Sequence, residues 1–358
     1  MIPDTQTVDE HLLYILGRGS VNLGSSANTE RLMLMMTRSC HLRCSYCFVQ
    51  KKESDTTLSE ALAKKAIDWL MSSQRSHLEV QFFGGEPTAE WNRLCAAIEY
   101  ATHHPQRGNR QLELILTTNG MGLTQAHTRY LSEAKVRVLF SLDGPEYSHQ
   151  RFRAPYQGED ASWSLNHEEA WQGIESAIDL LNSHEVQWFM NAVVPPADAS
   201  GVLERYLWAI QNNIPALQLN YAVGMAWPVA KMNKYLSGMV EAMRHHRKHQ
   251  PDLVLYNWQS ECEPVMLSDD IIVDVDGTVL HDGAIFLERA FPELQKTYFR
   301  GHLEDLNDFD ATRWSLARLC DVMLQTYPQG SSQRQVILQN IRMGAAVDWV
   351  IQRLREET

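Results

Sequence analysis

Six short apolar or alternating runs recur along the chain: Leu32 to Thr37, Leu78 to Phe83, Leu112 to Thr118, Val136 to Leu142, Gln187 to Val194 and Leu217 to Val223. Segments with helical periodicity lie between them. Leu58, Leu62, Ile67 and Leu70 share one helix face, and Trp171, Ile174, Ile178 and Leu181 share another. Thr57 followed by Glu60 predicts a capping box at the start of the first of these helices. Strands separated by whole helices pair in parallel, because a parallel pair needs a long crossover. The expected fold class is therefore α/β, with six units forming a partial (β/α)6 TIM-like barrel. A doubly wound sheet is the alternative that periodicity leaves open.

After about Tyr221 the rhythm changes. Tyr235 to His249 reads as a helix ending in a basic run, and Ile271 to His281 reads as a small hairpin turned at Asp276-Gly277. Gln335 to Arg355 reads as a closing amphipathic helix. The expected division is an N-terminal extension over 1–30, a barrel over 31–240 and a small α+β module over 241–358. A length of 358 residues suits one large unit with a small appendage.

The net charge of −12 argues against a nucleic-acid partner held through phosphates. No apolar run reaches the roughly 20 residues that span a bilayer, so no membrane partner is expected. Met1 to Glu10 lacks the basic flank and apolar core of a secretory signal, which points to the cytoplasm. Six cysteines are too few for a disulfide scaffold, and a reducing compartment leaves thiols free for metal.

Three of those cysteines stand together in Cys40-His-Leu-Arg-Cys44-Ser-Tyr-Cys47, directly after the first strand. Thiolates on one loop can wrap an iron–sulfur cube, and three ligands for four irons leave one iron open to another molecule. A structural zinc knuckle is the competing reading, but closed zinc sites take four ligands, and no fourth has obvious partner spacing.

Cys40, Cys44 and Cys47, with Tyr46 and Phe48 flanking the last, resemble the signature of the radical S-adenosylmethionine (SAM) superfamily. The resemblance continues in order through Gly84-Gly85-Glu86-Pro87, Thr118-Asn119-Gly120 and Ser141-Leu-Asp143-Gly144-Pro145, followed by His149 and Arg153. This order of strand-end motifs resembles the peptide-modifying and sulfatase-maturing branch. It implies a [4Fe–4S] cluster on the three cysteines and SAM as the second cofactor. The SAM-binding set is then Tyr46, Gly84, Gly85, Glu86, Pro87, Thr118, Asn119, Ser141, Asp143 and Arg153. Ser141 is expected to touch SAM and Arg153 to face its carboxylate, with Arg151 the nearest competitor. Glycines at 84 and 85 allow close backbone approach, and Glu86 is suited to an ammonium.

The branch often carries an auxiliary-cluster module called SPASM, or its shortened relative, twitch. Cys262, Gly277, Asp282, Gly301-His302-Leu303 and Cys320 look like remnants of one. The dense cysteine run is missing, so the expectation is a degenerate scaffold without a second cluster; the competing reading is that Cys262, Asp282 and Cys320, with His281, still hold a cluster or metal. Cys262 is the candidate catalytic hydrogen donor, weighed against a buried thiol that only packs. The resemblance implies reductive cleavage of SAM to a 5′-deoxyadenosyl radical, which abstracts hydrogen from a precursor peptide to crosslink or epimerise it. An external one-electron reductant of flavodoxin or ferredoxin type is implied. Sulfatase maturation and a non-catalytic peptide-binding or cluster-carrying role are the alternatives.

Overall fold

The computed structural model describes residues 2–17, 29–49, 57–156, 166–259, 267–268, 270–281, 290–309 and 314–357. All six anticipated strands are present. They are β1 (Thr29–Thr37), β3 (His77–Gly84), β4 (Gln111–Thr118), β5 (Arg137–Ser141), β7 (Trp188–Val194) and β8 (Ala216–Tyr221). Two short strands, β2 (Leu42–Cys44) and β6 (Arg153–Pro155), form a separate antiparallel pair. The six pair in parallel in the order β1-β3-β4-β5-β7-β8, each beside the next in sequence. A doubly wound sheet reverses its strand order at a switch point. This sheet has no reversal among the six, and the doubly wound alternative is thereby corrected. Residues from every one of the six strands line a single cavity of about 580 Å³, so the sheet curves around it. Strands β1 and β8 are not paired with each other, which makes the barrel partial.

The crossovers are helices: α2 (Glu60–Met71), α3 (Trp91–Thr102), α4 (Gln125–Glu133), α5 (Glu146–Phe152), α6 (His167–Ser183), α7 (Val202–Gln211) and α8 (Val229–His249). An earlier helix, α1 (Thr5–Gly17), precedes β1. Helix α2 buries Ala63, Ala66, Ile67 and Leu70. Its cap differs from the expected box. Ser59 is the N-cap and its hydroxyl accepts from Leu62 N, while Glu60 is already helical. Thr57 instead bridges Thr37 and donates to Glu90 Oε1 at 3.1 Å. An N-cap must leave helical geometry one residue before the first turn, and Ser59 holds that place.

The boundary expected at residue 240 falls inside α8. Beyond it come β9 (Val254–Leu255), which extends the β8 edge, and the short helix α9 (Tyr256–Gln259). The anticipated hairpin is β10 (Ile271–Val273) and β11 (Thr278–His281), with Gly277 at φ +83° in its turn. Strand β10 pairs in parallel with β1, Leu32 opposite Ile271 through Leu34 opposite Val273. Strand β12 (Phe299–His302) closes this edge, so the C-terminal strands continue the barrel's own sheet. The remaining helices are α10 (Pro292–Tyr298), α11 (Leu316–Gln325) and α12 (Ser332–Glu356). Helix α12 is tied to α1 by Arg342–Asp9 at 2.7 Å and His11–Asp348 at 2.7 Å. It reaches the barrel where Asn340 Oδ1 accepts from Gly224 N at 3.0 Å.

Candidate functional site

The four motifs occupy the carboxyl ends of β1, β3, β4 and β5, where ligands sit in parallel α/β sheets. The cysteine loop leaves β1 and is pinned by the β2–β6 pair, in which Cys44 lies opposite Arg153. Ser45 N donates to Phe152 O at 2.8 Å and Cys47 N to Cys44 O at 3.1 Å. The Arg43 guanidinium donates to Cys40 O at 2.8 Å and stacks 4.0 Å from the Tyr156 ring centroid. Cys40 Sγ accepts from Leu42 N at 3.4 Å and lies 3.6 Å from the Asn119 amide nitrogen. None of the three is in a disulfide, and all three line the same cavity.

Among the described residues no three His, Cys, Asp or Glu side chains converge closely enough to hold one ion. A single zinc draws its sulfurs to about 2.3 Å from one point. A cube gives each thiolate its own iron, and three spread thiols on one loop fit that need.

The Gly84-Gly85-Glu86 turn runs against the chain entering this loop, with Gly85 N donating to Thr37 O and Glu86 N to Ser39 O, both at 2.7 Å. A Cβ on Gly85 would sit 2.0 Å from Ser39 O, so only glycine permits this approach. Gly84 and Gly85 line the cavity; Glu86 is fully buried behind them. Its Oε1 accepts from Thr118 Oγ1 at 2.7 Å, Thr88 Oγ1 at 2.8 Å and Thr88 N at 3.1 Å, and its Oε2 from Asn119 N at 2.7 Å. Burial raises the Glu86 carboxyl above its ordinary value, with the four donors working against it. In this arrangement Glu86 fastens β3 to the end of β4. Pro87 is buried and opens the short 3-10 turn Pro87–Glu90.

Asp143 is the second buried carboxylate. The Tyr46 hydroxyl donates to its Oδ2, while Oδ1 accepts from Arg153 at 2.9 Å and from Val193 N at 3.0 Å. Burial pushes the Asp143 carboxyl up, but the Arg153 guanidinium outweighs it and leaves the group below the usual range. The same burial sends the Tyr46 hydroxyl well above its ordinary value, opposed by Arg153. Arg153 is thus engaged by Asp143 rather than standing alone, and both Tyr46 and Arg153 line the cavity. Arg151 is exposed and stacks on Phe152. His149 is pushed down to about 3 by burial and by Arg153, and its Nδ1 accepts from Asp143 N at 3.4 Å.

Thr118, Asn119 and Ser141 all line the cavity, so the structure gathers these motif residues around one space. Cys262 and Asp282 lie outside the described residues, although Gln259 and Ser268, to either side of Cys262, line the cavity. Cys320 is buried in α11. Sequence reasoning passed over the polar interior of the barrel. Asn220 donates to Asn191 Oδ1 at 2.7 Å and Gln81 to Thr117 Oγ1 at 2.9 Å, and Gln218 stands beside them on the cavity wall. The signal was a lone amide inside an apolar strand, such as Asn191 within Trp188–Val194. At the other end of the cavity Arg31 joins Glu79 and Asp270, which sequence reading also missed.

Residues 34–186 match the family model described as the Radical SAM superfamily. The chain is 26% identical over 137 residues to the radical SAM cyclopropyl synthase TigE of Paramaledivibacter caminithermalis, covering 34% of this chain and 28% of that protein. It is 23% identical over 185 residues to the cysteine-type anaerobic sulfatase-maturating enzyme of Clostridium perfringens, covering 50% and 48%. The matched regions thus span between about a quarter and a half of these curated relatives. The fold is shared with anSMEcpe solved with bound AdoMet and the Kp18Cys peptide, at TM-score 0.66 and 17% identity over 87% of this chain and 83% of that one.

Proposed function

We propose, from the match of residues 34–186 to the Radical SAM family model, that the chain is an enzyme that binds a [4Fe–4S] cluster and SAM in its barrel and modifies a peptide, crosslinking it or inverting an α-carbon. The observation that carries this reading is the convergence of Cys40, Cys44, Cys47, Gly84, Gly85, Asn119 and Ser141 on one cavity. When bound, that cofactor pair supplies a 5′-deoxyadenosyl radical, and with it hydrogen-atom abstraction from an unactivated carbon.

The chain's own residues do the rest. Cys40, Cys44 and Cys47 would hold the cluster, and the Gly84-Gly85 backbone, Asn119 and Ser141 would flank SAM. Tyr46, Asp143 and Arg153 fix the cysteine loop against the ends of β5 and β7. Met33, Phe83, Leu139 and Val193 give the cavity apolar walls that exclude water from a reactive species. Asn191, Gln218 and Asn220 present uncharged donors and acceptors that suit a peptide backbone, and Arg31, Arg137 and Asp270 add charged groups to the same wall. Cys262 stays in this reading as the hydrogen donor that an epimerase requires, and an external one-electron reductant completes it. Formylglycine formation is a second reading, supported by the match to the Clostridium perfringens enzyme over half of this chain.

The test is anaerobic incubation of the reconstituted protein with SAM and a strong reductant, with candidate precursor and sulfatase-derived peptides added in parallel. Release of 5′-deoxyadenosine that vanishes in Cys44→Ala is expected. Altered mass or altered α-carbon configuration in the precursor peptide alone supports the first reading. Conversion of only the sulfatase peptide supports the second, and no 5′-deoxyadenosine under any condition refutes both.

A further inference from the structure

Resting on the cluster assignment above, we propose that the cysteine-poor C-terminal strands serve as a brace for the cluster loop, with Asp274 as a positioning residue acting through Arg38. Arg38 stands two residues before Cys40, and both Arg38 and Asp274 are buried. The Arg38 guanidinium donates to Asp274 Oδ2. Asp274 is itself held rigidly. It immediately follows β10, whose three residues pair with β1. Its Oδ1 accepts from Val275 N at 2.7 Å, its backbone N donates to Thr278 O at 2.9 Å, and its O accepts from Gly277 N at 2.9 Å. The carboxylate is therefore a fixed point delivered by the hairpin turn.

The stretch Thr37 to Ser39 is gripped on two sides. The Gly84-Gly85-Glu86 turn takes Thr37 O and Ser39 O, and the hairpin takes the Arg38 side chain between them. The backbone leading into Cys40 thus depends on a residue more than two hundred positions later. A buried, charge-assisted contact has one good geometry, and losing either partner strands the other charge out of water. This gives a module without its dense cysteine run a reason to stay joined to the barrel. It positions ligands instead of holding a cluster.

The experiment compares the full-length wild type with Asp274→Asn, with the paired variant Arg38→Met/Asp274→Leu, and with Ile337→Ala. Ile337 is buried in α12 and its truncation lowers stability without touching the loop. Amide hydrogen exchange is followed in the cluster-free protein, and iron is then counted after anaerobic reconstitution. The paired variant removes both charges together, so it keeps the test open should Asp274→Asn fail to fold. The proposal predicts that exchange across residues 37–47 rises at least roughly tenfold in the Asp274 variants, with iron content falling, while Ile337→Ala leaves both near wild type. Unchanged exchange across 37–47 in a folded Asp274 variant would overturn it. A wild type with a protected loop that takes up no iron would instead sink the cluster assignment and leave the brace standing.

Discussion

Tyr46 sits between Cys44 and Cys47, and its hydroxyl reaches Asp143 across the mouth of the barrel. Tyr46→Phe removes only that hydroxyl. Asp143 keeps Arg153 and Val193 N, so the loss should be one hydrogen bond to a charged acceptor, about 1.5–3 kcal/mol. Urea denaturation of the cluster-free protein measures it, and an unchanged midpoint would mean that the hydroxyl does not tether the loop. His149 behaves differently. Its folded value is down near 3, whereas an unfolded histidine titrates near 6.5. Between those values the unfolded chain binds more protons, so stability falls as pH is lowered through that window. At pH 5 the deficit from this one group is on the order of 2 kcal/mol. His149→Gln should therefore lose about that much less stability than the wild type between pH 7.5 and pH 5. Parallel losses in the two proteins would count against a buried neutral imidazole.

At the scale of elements, the site is made by strand ends and the turns that leave them. Gly85 is the sharpest case, because its missing side chain is what lets β3 close against the cysteine loop. Gly85→Ala forces Ser39 and the loop apart, at a cost of about 1–3 kcal/mol, and iron uptake should fall with it. A Gly85→Ala protein with wild-type melting and full iron would show that the turn does not set the loop. Much of this was legible beforehand. The six strands, the hairpin and the motif positions follow from apolar runs and glycine-marked turns, which are local signals. Other features were not legible because they are relations between distant elements. The cap of α2 was placed two residues early, since Thr57 and Ser59 both offer a hydroxyl near the helix start and only Ser59 lies at its boundary. Glu86 and Asp143 read as ligand-facing carboxylates, whereas Thr88, Thr118 and Asn119 enclose the first, and Tyr46 and Arg153 the second. The Arg38–Asp274 contact links residues that no local pattern connects.

For the molecule as a whole, six parallel strands surround one cavity that the three cysteines, uncharged amides and the Arg31–Asp270 pair all line. The C-terminal strands extend that sheet from β1, and α12 packs α1 and the end of β8 to the same body. Among the described residues no helix is long and apolar enough to cross a membrane. The match of residues 34–186 to the Radical SAM family model and the gathering of the motif residues on one cavity make cluster binding at Cys40, Cys44 and Cys47 the claim on which every other step depends. The most direct measurement counts iron and sulfide in the anaerobically reconstituted wild type and in Cys40→Ala/Cys44→Ala/Cys47→Ala. About four irons per chain in the wild type and none in the variant is the predicted result. About four irons retained by the variant would contradict the assignment and place the cluster elsewhere in the chain.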